Sequence, residues 1–159
     1  MDQTEALRDH LQKALAWEDA HAGFDAAVAG VPAHLQGVVP QGQAHSLWQL
    51  LEHLRLTQWD LLDFCTNPAY VGLSMEQHWP PSVAPPTAAA WDEAIVRFQA
   101  DRDAVQRLAA DRAVNLFDRI PQGSGQTYLR SLLLVIDHNA YHVGQFVIAR
   151  RALGIWPPG

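Results

Sequence analysis

The chain has 159 residues, 48% hydrophobic and 18% charged, with a formal net charge of -6 at pH 7. A chain of this length can bury a sizeable core, and its low charged fraction leaves little room for disorder, so one domain over residues 1–159 is expected. The acidic balance argues against nucleic acid or an anionic membrane as partner, and the single cysteine, Cys65, excludes an intrachain disulfide or a thiolate zinc cluster.

No apolar stretch reaches membrane-spanning length and no charged-then-apolar leader opens the chain, so the expected location is the cytoplasm. No stretch alternates as a strand does. Four long amphipathic segments point to an all-α four-helix bundle.

The first segment, Thr4 to about Val28, carries Leu7, Leu11, Leu15, Phe24 and Val28 and is expected to be one helix. Thr4 is the expected N-cap, Glu5 suits the positive pole of the first turn, and Gly30 with Pro32 ends the run. His10 and His21 on this segment read as partly exposed residues rather than ligands. Val31 to Ala44, broken by Pro32, Gly37, Pro40 and Gly42, reads as a connection, and His34 within it has no partner at ligand spacing.

Ser46 is placed to cap a second helix running to about Phe64, with Leu47, Leu50, Leu51, Leu54, Leu61 and Leu62 as its apolar body. His53 lies mid-helix near the face of Gln49, Thr57 and Asp60. A histidine among leucines is commonly a hydrogen-bonded core residue, yet it is also the natural third imidazole for a pair on the last helix. His45 falls just before the cap, at the expected mouth of a pocket. Cys65 to Thr87 then holds Pro68, Gly72, Pro80, Pro81, Pro85 and Pro86 together with Tyr70, His78 and Trp79. Loops of this length tend to be lids or crossovers. Trp79 or Tyr70 either closes over a pocket or pins the loop to the bundle, and His78 offers a further polar group.

A third helix is expected over about Ala88 to Ala109, with Trp91, Ile95, Phe98, Val105 and Leu108 inward and Asp101, Arg102, Asp103 and Arg107 on a solvated face. Leu116 and Phe117 are expected to pack the next turn, before the flexible stretch Pro121 to Gly125. The last helix, Thr127 to Ala152, contains Asp137-His138-Asn139-Ala140-Tyr141-His142-Val143-Gly144-Gln145. His138 and His142 are four apart and share a face, with Tyr141 and Gln145 in the same arc. Two such imidazoles can bind one metal ion if a third ligand comes from elsewhere. The chain has eight histidines, so the spacing alone also fits a pair of solvated or core-edge side chains. Gly144 costs about 1 kcal/mol relative to alanine, which suggests a close helix crossing. Arg150 and Arg151 complement the helix dipole, and Gly154 stops the helix.

The run His45-Ser46-Leu47-Trp48-Gln49-Leu50-Leu51-Glu52-His53-Leu54, taken with Asp137 to Gln145, resembles the DinB/YfiT-like superfamily, and the resemblance covers essentially the whole chain. It implies a four-helix bundle with a long connection between the second and third helices, often a homodimer. It also implies a divalent metal, zinc or nickel, on three histidines, which in this sequence are His53, His138 and His142. Activities in the wider superfamily include transfer of low-molecular-weight thiols such as bacillithiol, and mycothiol-dependent isomerisation.

Three neutral imidazoles leave a bound metal its full charge and an open position, as in catalytic rather than structural sites. The leading expectation is therefore a metal-dependent enzyme acting on a small-molecule substrate, ionising either a low-molecular-weight thiol co-substrate (an S-transferase) or water (a hydrolase). Asp60 and Gln145 are the candidate general bases or supports of the ligands, with Gln49 beside them. Asp137 and Glu52 point about 100° away on their helices. Two rival readings stand beside it: a non-catalytic metal- or small-ligand-binding bundle of stress response, and a metal-free bundle whose histidines bond one another.

Overall fold

In the computed structural model, which describes residues 2–16 and 19–158, the chain forms helices α1 (Gln3–Ala14), α2 (Phe24–Val28), α3 (Leu47–Thr66), α4 (Ala90–Ala110) and α5 (Tyr128–Ala152). Asp2, not Thr4, caps α1, its carboxylate accepting the Thr4 N–H at 2.7 Å. The expected single helix over 4–28 is interrupted after Ala14; its positions 17 and 18 lie outside the described residues. Geometry explains the break. Nine residues at about 100° each turn Phe24 about 180° away from Leu15 on a straight helix. Both side chains are nonetheless buried, which requires the chain to bend between them.

Ser46 caps α3 in a full capping box: its hydroxyl accepts from Gln49 N–H while the Gln49 side chain accepts from Ser46 N–H. Thr127 caps α5 in the same sense, accepting the Arg130 N–H. Between them the helices bury two apolar clusters. One gathers Phe24, Leu47, Trp48, Leu51, Leu54, Trp91, Phe98 and Phe146; the other gathers Leu11, Leu15, Val105, Leu116, Leu132 and Val135. The N-terminal halves of α3 and α4 thus share a cluster with the C-terminal half of α5. So α3 and α4 run the same way and α5 runs against them. A chain joining two parallel helices must travel back along the bundle. Residues 67–89 do this, and they form the expected long connection of a four-helix bundle.

Several local expectations change. Arg150 is almost fully buried and serves more than the dipole: its Nη1 donates to the Ala27 and Ala29 carbonyls at 2.6 and 2.8 Å, and its Nη2 to the Ile155 carbonyl at 3.0 Å. It thereby fastens the end of α2 to the turn after α5. That turn has Gly154 at φ 72°, with Ile155 N–H donating to the Arg150 carbonyl and Gly154 N–H to that of Arg151, a Schellman stop. Gly144 is exposed, and a Cβ there would meet nothing within 4 Å, so no close crossing occurs at it among the described residues. Arg102 is not simply solvated but pairs with Asp25 at 2.8 Å, while Phe117 is exposed rather than packed. Among the described residues there is no strand, only the isolated bridge Arg119–Thr127, and no helix long and apolar enough to cross a membrane.

Replacing Arg150 with alanine leaves the buried Ala27 carbonyl without its donor, at about 1–3 kcal/mol, and removes the donors of the more accessible Ala29 and Ile155 carbonyls. Chemical denaturation should show a loss of at least ~2 kcal/mol for Arg150→Ala, against about 0.5 kcal/mol or less for the exposed neighbour Arg151→Ala.

Candidate metal centre

The antiparallel pairing of α3 and α5 brings His53 opposite His138 and His142. His53 Nε2 lies 3.1 Å from His142 Nε2 and 3.1 Å from His138 Nε2, and the ligand atoms of all three rings fall within 4.8 Å of one another. Four-coordinate zinc with Zn–N bonds of about 2.0–2.1 Å sets its nitrogens roughly 3.4 Å apart, so the spacing suits one small divalent ion. His53 and His142 are buried and His138 is half-buried. Among the described residues, no other group of three potential ligands converges in this way.

The protonation pattern follows from the neighbours. His53 Nδ1 stands 2.8 Å from the His78 carbonyl oxygen, which can only accept. The hydrogen of neutral His53 therefore sits on Nδ1 and its Nε2 presents a bare lone pair to the other two rings. Burial pushes His53 down to about 4, the His78 hydrogen bond opposing and the nearby imidazoles adding to the shift. His138 falls to about 3, again chiefly through burial, and His142 is lowered for the same reason. All three are neutral, the form that ligates a metal, at pH 7.

The returning loop is fastened along α3 at three levels. Asp60 accepts from Tyr70 Oη at 3.1 Å and from Leu73 N–H at 3.1 Å, with His78 Nε2 at 3.4 Å. About two turns nearer the start of α3, the His78 carbonyl takes the His53 hydrogen bond, and Trp79 stacks flat on His53 at 3.8 Å and 4° and on His45 at 3.9 Å. At the end of the bundle Ser46 Oγ donates to the Val83 carbonyl, and Gly37 approaches so closely that a Cβ would stand 2.4 Å from Ala84 Cβ. Trp79 is thus the aromatic that covers the triad, while Tyr70 anchors the loop lower down; burial and the adjacent Asp60 push the Tyr70 phenol up to about 12.

The triad meets as the sequence reading placed it. Asp60 lies in the same helix as His53, but the contacts of its buried carboxylate are with the loop. Gln145 donates to Tyr141 Oη at 3.2 Å, and its side-chain oxygen is buried beside His142, whose proton affinity it raises. Gln49 is spent on the capping box, Glu52 pairs with Arg55 at 2.7 Å, and Asp137 is exposed. Sequence reasoning missed the His78 carbonyl, a backbone atom with no signature. It also missed Gln58 and Asn139, which hydrogen-bond each other at 2.9 Å between α3 and α5; a glutamine on the leucine-rich face of α3 was the available signal.

Fold and site together define a class: a helical bundle with three histidines from two antiparallel helices positioned to hold one metal ion. The profile of the DinB superfamily matches residues 16–146, and the chain belongs to that superfamily. Neither the curated proteins nor the solved structures yield a match.

The depressed pKa values set a pH dependence for the metal-free protein. Unfolded histidine binds protons near 6.5, while folded His53 and His138 do so only near 4 and 3. Between these values the unfolded chain holds more protons, so stability falls as pH drops from about 6.5 towards 3. In denaturant titrations without metal, His138→Leu should lose less stability than the parent over that window; an equal loss would show that His138 does not resist protonation.

Proposed function

We propose that the protein is a metal-dependent enzyme of small-molecule chemistry, with one divalent ion, zinc or nickel, held by His53, His138 and His142. The observation that carries this reading is the convergence of three neutral imidazoles, with the lone pair of His53 Nε2 turned towards the other two rings. A divalent ion bound there supplies Lewis acidity, lowering the pKa of a thiol or water at its open position. Membership of the DinB superfamily supports a low-molecular-weight thiol, and hence S-transfer, ahead of hydrolysis.

The chain's own residues supply the rest. Trp79 shields His53 from water, and the His78 carbonyl keeps the His53 hydrogen away from the ligating side. Asp60 acts as a support that secures the loop, and Gln145 donates to the Tyr141 hydroxyl next to His142. All three ligands come from one chain, so the homodimer that the resemblance implies is not needed to complete the site.

A second reading, a binding bundle without turnover, is favoured by one observation: the Asp60 carboxylate, the expected base, is already engaged by Tyr70 and Leu73. Turnover separates the two. Metal-loaded protein should conjugate a low-molecular-weight thiol to a chloro-nitroaromatic electrophile, and His142→Ala should abolish the reaction. Asp60→Asn should cut metal affinity and rate together if Asp60 supports the loop, whereas loss of rate with unchanged metal content would make it a base. Absence of turnover with any thiol, and of hydrolysis, would leave the binding bundle.

A further inference from the structure

Helix α5 leaves one face uncovered along most of its length. Leu133, Asp137, Ala140, Gly144, Ile148 and Arg151 are all exposed and recur at steps of three and four. At about 100° per residue they share an arc of about 80°, and Leu133 to Arg151 makes about five turns, or roughly 27 Å. Leu133 and Ile148 are half exposed, and Tyr141 at the edge of the arc is 63% exposed. The exposed face of α4 differs in kind, carrying Asp92, Glu93, Arg97, Asp103 and Arg107. A charged face is explained by solvent alone, whereas a continuous apolar one marks a contact surface.

The face is symmetric about one point. Gly144 stands near its middle, and glycine weakens a helix relative to alanine. Among the described residues nothing stands within 4 Å of a Cβ placed there, so no neighbour of its own chain calls for a glycine. A helix arriving from outside does, since small residues let two backbones approach closely. Within these five turns the charges of the face are Asp137 and Arg151, each seven positions from Gly144 and of opposite sign. Neither side chain has a hydrogen bond or ion pair with another described residue.

A two-fold axis through Gly144 turns a second α5 antiparallel onto the first. It carries Asp137 onto Arg151 of the second copy, and Arg151 onto the Asp137 of that copy. It also sets Ala140 opposite the second copy's Ile148, small against large, as interdigitating helices require. A parallel pairing would instead set like charges against each other at both places. We propose that this face of α5 is a self-recognition surface: two copies of the chain pair antiparallel through it, crossing at Gly144, with Asp137 of each copy against Arg151 of the other. The inference rests on the face itself and not on the proposed function. A strip roughly 27 Å long and one helix wide is smaller than the about 800 Å² per partner of a standard interface, so the dimer dissociates in the micromolar range.

The test is sedimentation velocity of the full untagged chain from low to high micromolar concentration, where the parent should pass from monomer to dimer. Gly144→Leu, which extends into open space in its own chain, should stay monomeric with the helical circular dichroism of the parent. Asp137→Arg alone and Arg151→Asp alone should each raise the dissociation constant about tenfold or more, because each sets like charges together on both sides of the crossing. An equimolar mixture of those two variants should recover dimerisation as a heterodimer, both contacts then being of opposite charge. A parent chain that stays monomeric throughout, a dimer that survives Gly144→Leu, or a mixture no more associated than its two components would overturn the proposal.

Discussion

His53 Nε2 stands 3.1 Å from two other ring nitrogens, and the carbonyl of His78 holds its only hydrogen on the far side of the ring. Three neutral imidazoles converging in a partly buried place, one of them with its lone pair turned inwards, suit a single cation between them. That constraint explains features that otherwise look unrelated. It requires rings kept neutral by burial, the His53 hydrogen drawn outwards by the His78 carbonyl, and backbone rigid enough to hold the three rings on one point.

The parallel course of α3 and α4 serves the same end. Because α3 and α4 are parallel, the chain must return over the outside of α3, and this path lays His78 and Trp79 against His53. Asp60 is then the attachment without which the loop would have no reason to lie at that height. Metal site and crossover are therefore one construction. A loosened loop removes both the acceptor for His53 and the indole that excludes water from it. Arg150 plays a comparable role at the other turn, where one guanidinium joins the end of α2 to the stop of α5.

How legible this was in the sequence depends on whether the interaction is periodic. The four-residue spacing of His138 and His142 is a helix-face signal, and the Ser46–Gln49 capping box can be read directly. His53 could be chosen from its place on the second helix, and the resemblance named the same residue. The break between Leu15 and Phe24 was also readable, since nine residues place those side chains on opposite faces. What could not be read were contacts made by backbone or between distant amides: the His78 carbonyl, the stack of Trp79, and the Gln58–Asn139 pair. Gly144 misled because a helical glycine implies closeness to something, and among the described residues nothing stands within 4 Å of a Cβ placed there.

The central claim is that His53, His138 and His142 form a single cation site, and metal stoichiometry tests it most directly. Metal-free protein lacking any His-tag would be titrated with zinc, alongside His53→Ala, His138→Ala and His142→Ala. The account predicts about one equivalent bound per parent chain, with tight binding lost in each variant, as expected when a three-ligand site drops to two. Failure of the parent chain to bind zinc or nickel, or full binding by any of the three variants, would contradict it.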